Sequence, residues 1–235
     1  EAELIKLFPI MRELYRRNIS YHIVASGQND LKKSSVLCAL DFGRVDLELS
    51  RESEIRKTAV GLLQWYVTTW KKAGTALLRT FGSDNLRSGM MVVHGDTVST
   101  MMGAYLGHKL GMQVAHVEAG LRSHNWLNPF PEEIDRVLTS RKATLHFAPG
   151  KRALDNLYKA KVAGKIVDTE YNTIIDSLAY SRRVPCQNPE VQVLCDGIPY
   201  FVFVMHRQEN LANKKLVHAM VERISIQAQS VRCVM

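Results

Sequence analysis

At 235 residues, 46% hydrophobic and 23% charged, the chain has ordinary globular composition, with enough length for one large domain or two small ones. Its net charge of +8 comes from 31 Lys and Arg scattered along the sequence, clustered only as short pairs such as Arg16-Arg17 and Lys71-Lys72; this argues for solvated faces and a phosphate-bearing small ligand, and against nucleic acid. No apolar run approaches the ~20 residues of a membrane helix, and Cys38, Cys186, Cys195 and Cys233 lack C-x-x-C spacing, the usage of reduced packing thiols in a cytoplasmic protein.

Apolar residues from Leu4 to Tyr15 recur at helical spacing and predict a sheet-covering helix, kinked at Pro9, where a backbone hydrogen bond is lost. A short strand follows at 21–26, then an edge strand at 45–49 and a long amphipathic helix over 54–81. Met90 to Val93 is a continuous apolar run between Gly89 and Gly95, the pattern of a strand buried on both faces. The next helix opens at Thr97, Ser99 and Thr100 and ends at Gly111, with Gly103 and Gly107 one turn apart for close packing on the sheet. With the strand at 113–117 this makes a β-α-β unit. Pro131 and the acids after it start another helix. Strands at 144–148 and 165–169 flank a helix at 149–159, and a further helix reaches about Tyr180. Phe201 to Met205 reads as a buried strand and Leu216 to Ile224 as the helix after it. The reading is an α/β protein with a boundary near 168–171: a first Rossmann-like domain over 1–168 and the beginning of a second over 169–235.

Three carboxylates sit where an apolar run gives way to a loop or a helix start. Asp96 leaves a strand and precedes a helix, a position that also suits an N-cap. Glu118 leaves a strand at the tight exit Ala119-Gly120, and its structural use there would be a pair with Arg122. Glu132 stands four residues before Arg136, the spacing of an ordinary helical ion pair. In an open parallel sheet such positions line the ligand crevice. Clustered carboxylates also raise one another's pKa, so that one site can hold both a general base and a general acid. His94 and His116 each end a strand beside an acid and could orient it. His206 ends an apolar run and opens His206-Arg207-Gln208-Glu209-Asn210, where an imidazole and backbone N–H groups can meet a phosphate. The other histidines read as core or surface residues. Glycine-rich loops of the G-x-G-x-x-G or G-x-x-x-x-G-K-[ST] type are missing, which disfavours dinucleotide binding and nucleotide triphosphate hydrolysis.

Several motifs carry a family resemblance: HGDT at 94–97, HVEAGLRS at 116–123, NPFPEEIDR at 128–136, HFAP at 146–149, NTIID at 172–176 and HRQEN at 206–210. In order and spacing, from the first helix onward, they resemble the non-hydrolysing UDP-N-acetylglucosamine 2-epimerases. The resemblance implies a GT-B-like pair of Rossmann domains, the first nearly complete but lacking its first strand, the second only begun. It implies conversion of UDP-GlcNAc to UDP-ManNAc by elimination and re-addition of UDP, without cofactor or metal, in a cytoplasmic enzyme of polysaccharide precursor synthesis; it also allows a homodimer.

Carried over position by position, Asp96, Glu118 and Glu132 match the family's acid/base carboxylates and His206 its diphosphate-side histidine. Lys6 matches a lysine near the nucleotide, and Arg136 would hold Glu132; Arg122, Arg207, Glu209 and Asn210 complete the substrate-binding set. A first strand with a Gly-Thr-Arg or Gly-Thr-Lys turn is implied before Glu1, and a nucleotide loop beyond Met235, so the expectation for these 235 residues alone is little epimerase activity. The family's Gly-Asn-Thr turn appears as Tyr171-Asn172-Thr173, and Gly27-Gln28-Asn29 departs from the segment tied to allostery in some members. The alternative reading is a non-catalytic nucleotide-sugar-binding or interaction paralogue.

Overall fold

The computed structural model describes the chain except residues 1, 28–30, 32–33, 35–43, 51–58, 127–129, 184–196, 198, 206–210, 212 and 235. His206, Arg207, Glu209 and Asn210, with Cys38, Cys186 and Cys195, therefore lie outside the described residues. Two compact units form, Glu1–Tyr180 and Ser181–Met235.

The first helix, α1 (Ala2–Arg16), buries Leu4, Phe8 and Met11 and is continuous through Pro9. The hydrogen bond lost at Pro9 is replaced from a side chain. Proline has no N–H to offer the carbonyl of Ile5, and that oxygen instead accepts the Ser177 hydroxyl, from a helix near the end of the unit. Phe8 and Tyr180 meet ring to ring on the same face, 4.8 Å between centroids. These contacts explain why the unit runs on to Tyr180, past the boundary expected at residue 168.

Next come β1 (Ile23–Ala25) and β2 (Val45–Glu48), paired in parallel as a two-stranded sheet. The long helix α2 (Ala59–Phe81) follows, then α3 (Ser83–Ser88). The larger sheet is built from β3 (Met90–His94), β4 (Gln113–Val117), β5 (Leu145–Ala148) and β6 (Lys165–Asp168), all parallel and adjacent in chain order. Its connecting helices are α4 (Val98–Lys109), α5 (Glu132–Lys142) and α6 (Lys151–Lys159); α7 (Ile174–Ser181) closes the unit.

Helix α2 supplies Trp65, Ala73 and Leu77 to a core shared with Leu86, Met102 and Leu106. Trp65 is buried because its indole N–H has a partner, the Ser50 hydroxyl 2.7 Å away, which in turn donates to the Ser26 carbonyl. Helix α4 lies close on β3 through its two glycines. A methyl at Gly103 would come 2.8 Å from Val93, and one at Gly107 2.7 Å from Met91. The other face of β3 is covered only at its carboxyl end, where His94 is buried; Met90 and Val92 on that face are 44% and 39% exposed, so the apolar run is not buried on both faces as it suggests.

The second unit contains β7 (Tyr200–Val202), α8 (Lys214–Gln227) and β8 (Arg232–Val234), with β7 and β8 parallel. The strand expected at 201–205 is shorter and more open than its sequence suggests, with Tyr200 45% and Val202 60% exposed. Among the described residues of this unit, two strands and one helix leave their apolar side chains partly open. The pairing partner β8 went unread because three residues at the end of the sequence carry no periodic signal.

Gly120 tests the packing. Its φ is +86°, and a methyl there would stand 2.3 Å from the Ala153 carbonyl oxygen. Gly82 shares the left-handed conformation at φ +78° but faces open space. Gly120→Ala is expected to cost about 3 kcal/mol, backbone strain plus overpacking, and Gly82→Ala about 1 kcal/mol, strain alone. Urea midpoints of the two variants measure the difference.

Candidate active site

The exits of neighbouring strands lie side by side, so the residues just after β3 and β4 meet at one edge of the sheet. The Gly95 N–H donates to the Val117 carbonyl at 3.0 Å, and the His116 ring binds the Gly95 carbonyl at 2.8 Å through Nε2. His116 is fully buried, which pushes its pKa down to about 4. A neutral imidazole thus fixes the turn that carries Asp96, whereas the sequence set His116 beside Glu118 and His94 beside Asp96; the structure exchanges the two.

Asp96 is not the helix cap. Thr97 takes that place, its hydroxyl accepting from Thr100 N at 3.3 Å, and the Asp96 carboxylate is left for Arg136, whose guanidinium binds it directly. Arg136 also lies 3.6 Å from Glu133, so the pairing expected between Glu132 and Arg136 gives way to ion pairs with Asp96 and Glu133.

Glu118 adopts φ +66°, a left-handed conformation that costs a non-glycine residue free energy and concentrates at functional sites. The surroundings hold it there. Ala119 N–H donates to the Phe147 carbonyl at 2.9 Å, and Ala119 and Gly120 are buried against α6. Its carboxylate is gripped from three elements: Lys6 Nζ of α1 at 2.7 Å, His94 Nε2 of β3 at 3.1 Å, and the Asn172 side chain. Asn172 is itself held, its side-chain oxygen accepting Ile174 N–H at the start of α7. Burial would raise the Glu118 pKa, but the neighbouring His94, Lys6 and Asn172 side chains outweigh it and bring it down to about 2. The pair with Arg122 that the sequence suggested does not form. A shallow, open pocket borders Glu118, lined by Pro149, Thr169, Tyr171, Asn172 and Thr173.

Arg122 is engaged elsewhere, with Glu133, the residue that sequence reasoning passed over in favour of its neighbour Glu132. Glu133 is wholly buried. It accepts from Arg122 Nε at 2.5 Å and from Ser123 N at 2.9 Å. Burial works to raise its carboxyl, but these bonds hold it below the ordinary carboxylate range. The tandem Glu132-Glu133 at a helix start was the available signal: on a helix, consecutive residues face about 100° apart, so one turns inward when the other faces the sheet edge.

The structure therefore gathers Lys6, Asp96, Glu118 and Arg136 at the sheet edge, puts Glu132 at the adjoining helix start, and ties Arg122 behind it. Two outcomes follow. Glu133→Ala leaves Arg122 without its buried partner and is expected to cost about 3–5 kcal/mol in chemical denaturation. Glu118 ionises more readily folded than unfolded, so it adds stability above its ordinary value of 4.5 that is lost as pH falls toward 2. Lys6→Met removes a stabilising partner, and acid unfolding followed by circular dichroism should then begin at higher pH.

The sequence profile of UDP-N-acetylglucosamine 2-epimerase matches residues 12–235. The Bacillus subtilis UDP-N-acetylglucosamine 2-epimerase is 31% identical over 211 residues, 89% of this chain and 52% of the relative. Among solved structures, the Methanocaldococcus jannaschii UDP-GlcNAc 2-epimerase in complex with UDP-GlcNAc and UDP is similar at TM-score 0.76 and 30% identity, covering 97% of this chain and 60% of that one. The Neisseria meningitidis UDP-GlcNAc 2-epimerase bound to UDP-GlcNAc gives TM-score 0.78 at 25% identity, covering 99% and 62%. The chain spans about half the length of the curated relatives it matches. Its α/β, GT-B-like fold class is the one expected from the sequence. With the match running through all but the first residues and the fold shared along almost the whole chain, this protein belongs to the UDP-N-acetylglucosamine 2-epimerase family.

Proposed function

We propose that the chain binds UDP-GlcNAc and carries acid/base machinery for its conversion to UDP-ManNAc. The observation that carries this reading is Glu118: a strained carboxylate, kept ionised by Lys6, His94 and Asn172, beside the Asp96–Arg136 pair at the carboxyl edge of a parallel sheet. Elimination removes the C2 proton to a base, breaks the C1–O bond and sends its electron pair out with UDP. Re-addition returns a proton to the other face of C2 and restores the bond at C1. Inversion thus needs proton-transfer groups on two faces and positive charge for the departing diphosphate.

Asp96, Glu118 and Glu132 are assigned the proton transfers. Lys6 and Arg136 lie at the same edge, each held by a carboxylate for which an anionic substrate would compete, and Arg122 supports the loop beneath them. His206, Arg207, Glu209 and Asn210 are assigned to the diphosphate and nucleotide side. A homodimer, a cytoplasmic location and a place in polysaccharide precursor synthesis belong to the same proposal. No helix among the described residues is long and apolar enough to cross a membrane.

Incubation with UDP-GlcNAc in D₂O, followed by NMR, tests the assignment. Deuterium should enter C2, slowly for these 235 residues, and Asp96→Asn, Glu118→Gln or Glu132→Gln should each slow it by about 100-fold or more while UDP still binds. Saturable UDP binding without any deuterium entry, unaffected by these substitutions, would favour the non-catalytic paralogue instead.

A further inference from the structure

Asp135 has no part in the reaction just described, yet it stands directly behind it. It lies in the first turn of α5, three residues after Glu132 and next to Arg136, and is 3% exposed. Its Oδ2 is buried without a hydrogen-bond partner among the described residues. The titratable groups whose charge reaches it are Asp96 from the turn after β3, Glu132 from its own helix and the Tyr66 phenol from α2, none of them a cation. Arg136, the adjacent cation, is engaged by Asp96 and Glu133. A carboxyl enclosed in this way, with two acids for neighbours, is neutralised by a proton.

We propose that Asp135 is a positioning residue for the Asp96–Arg136 pair, a buried carboxyl neutralised by a proton rather than by a cation, whose ionisation adds negative charge beside Asp96 and Glu132. Burial first, then Asp96 and Glu132, push its pKa up to about 7, so its change of state falls where small shifts in pH are felt. Arg136 already serves Asp96 and Glu133, and once Asp135 is ionised the same guanidinium is shared with one more carboxylate. What that charge does in the reaction rests on the epimerase reading; the protonation itself does not.

Carboxyl-carbon NMR of the whole chain, titrated from the ordinary carboxylate range to mildly alkaline pH, tests the proposal. The expected result is a carboxyl with a midpoint near 7 that is absent in Asp135→Asn. Asparagine keeps the shape and mimics the neutral state. Should the variant fail to fold, thermal melts of the wild type decide. Asp135 binds its proton more tightly folded than unfolded, so its contribution is full below about 3.8 and is lost as pH rises through about 7. An Asp135 signal that titrates with ordinary aspartates, or wild-type stability that does not fall over that range, overturns the proposal. Deuterium entry at C2 separates the two readings. NMR steps without exchange at any pH sink the epimerase reading and leave Asp135 assigned; exchange whose pH profile keeps its neutral step in Asp135→Asn sinks the role of Asp135.

Discussion

A carboxylate taken out of water needs a partner or a proton. The carboxyl edge of the β3–β6 sheet and the start of α5 bring together Asp96, Glu118, Glu133 and Asp135, and the cations paired with them among the described residues are Lys6, Arg122 and Arg136. Each cation fastens a different part of the chain to this edge. Lys6 ties α1 to the exit of β4, Arg136 ties α5 to the exit of β3, and Arg122 with Ser123 draws the loop after β4 onto α5. The electrostatic need of the acids is thereby the clamp that locates the helices around the site. Asp135 is left without such a partner, and a proton takes the place of one.

The same need explains how the first unit holds two separate sheets in one body. No backbone pairing joins β1 to β3 among the described residues. Side chains bridge the gap instead: the Ser26 and Ser99 hydroxyls lie 2.9 Å apart, and Thr97 donates to Glu3 of α1 at 2.7 Å. The core of Trp65, Leu77 and Met102 spans both sheets, since Val24 and Leu47 pack against it from one and Met91 from the other. Polar links at the strand exits and apolar packing under α2 thus share the task that a continuous ladder performs in an unbroken sheet.

The elements that were legible in the sequence are those whose signal is local. Caps and glycines marked α4 to within a residue or two, since Thr97 and the pressed glycines Gly103 and Gly107 act through their own chemistry. The acids at strand ends were legible because parallel topology puts strand exits together. Pairings were not: Arg136 four residues after Glu132 looks like its partner, and only the approach of α5 to the β3 exit gives it to Asp96. Glu132 and Glu133 are equivalent as letters, and tertiary packing separates a buried anchor from the acid beside it. Burial of β3 was overread because an apolar run reports the composition of two faces, whereas exposure depends on what covers each. His206 and its neighbours lie outside the described residues, and their assignment stays with the resemblance.

Strain and charge at Glu118 are coupled. The left-handed turn directs the carboxylate toward Lys6, His94 and Asn172, and those bonds, with the Ala119 and Gly120 packing behind, hold a backbone conformation that is unfavourable for glutamate alone. A ligand that competes for Lys6 would weaken this hold and let the carboxyl drift up from its depressed value, toward the range where a carboxyl can both take and return a proton. Glu118 thus begins with its cation in place, and the strained turn and the ion pair hold each other.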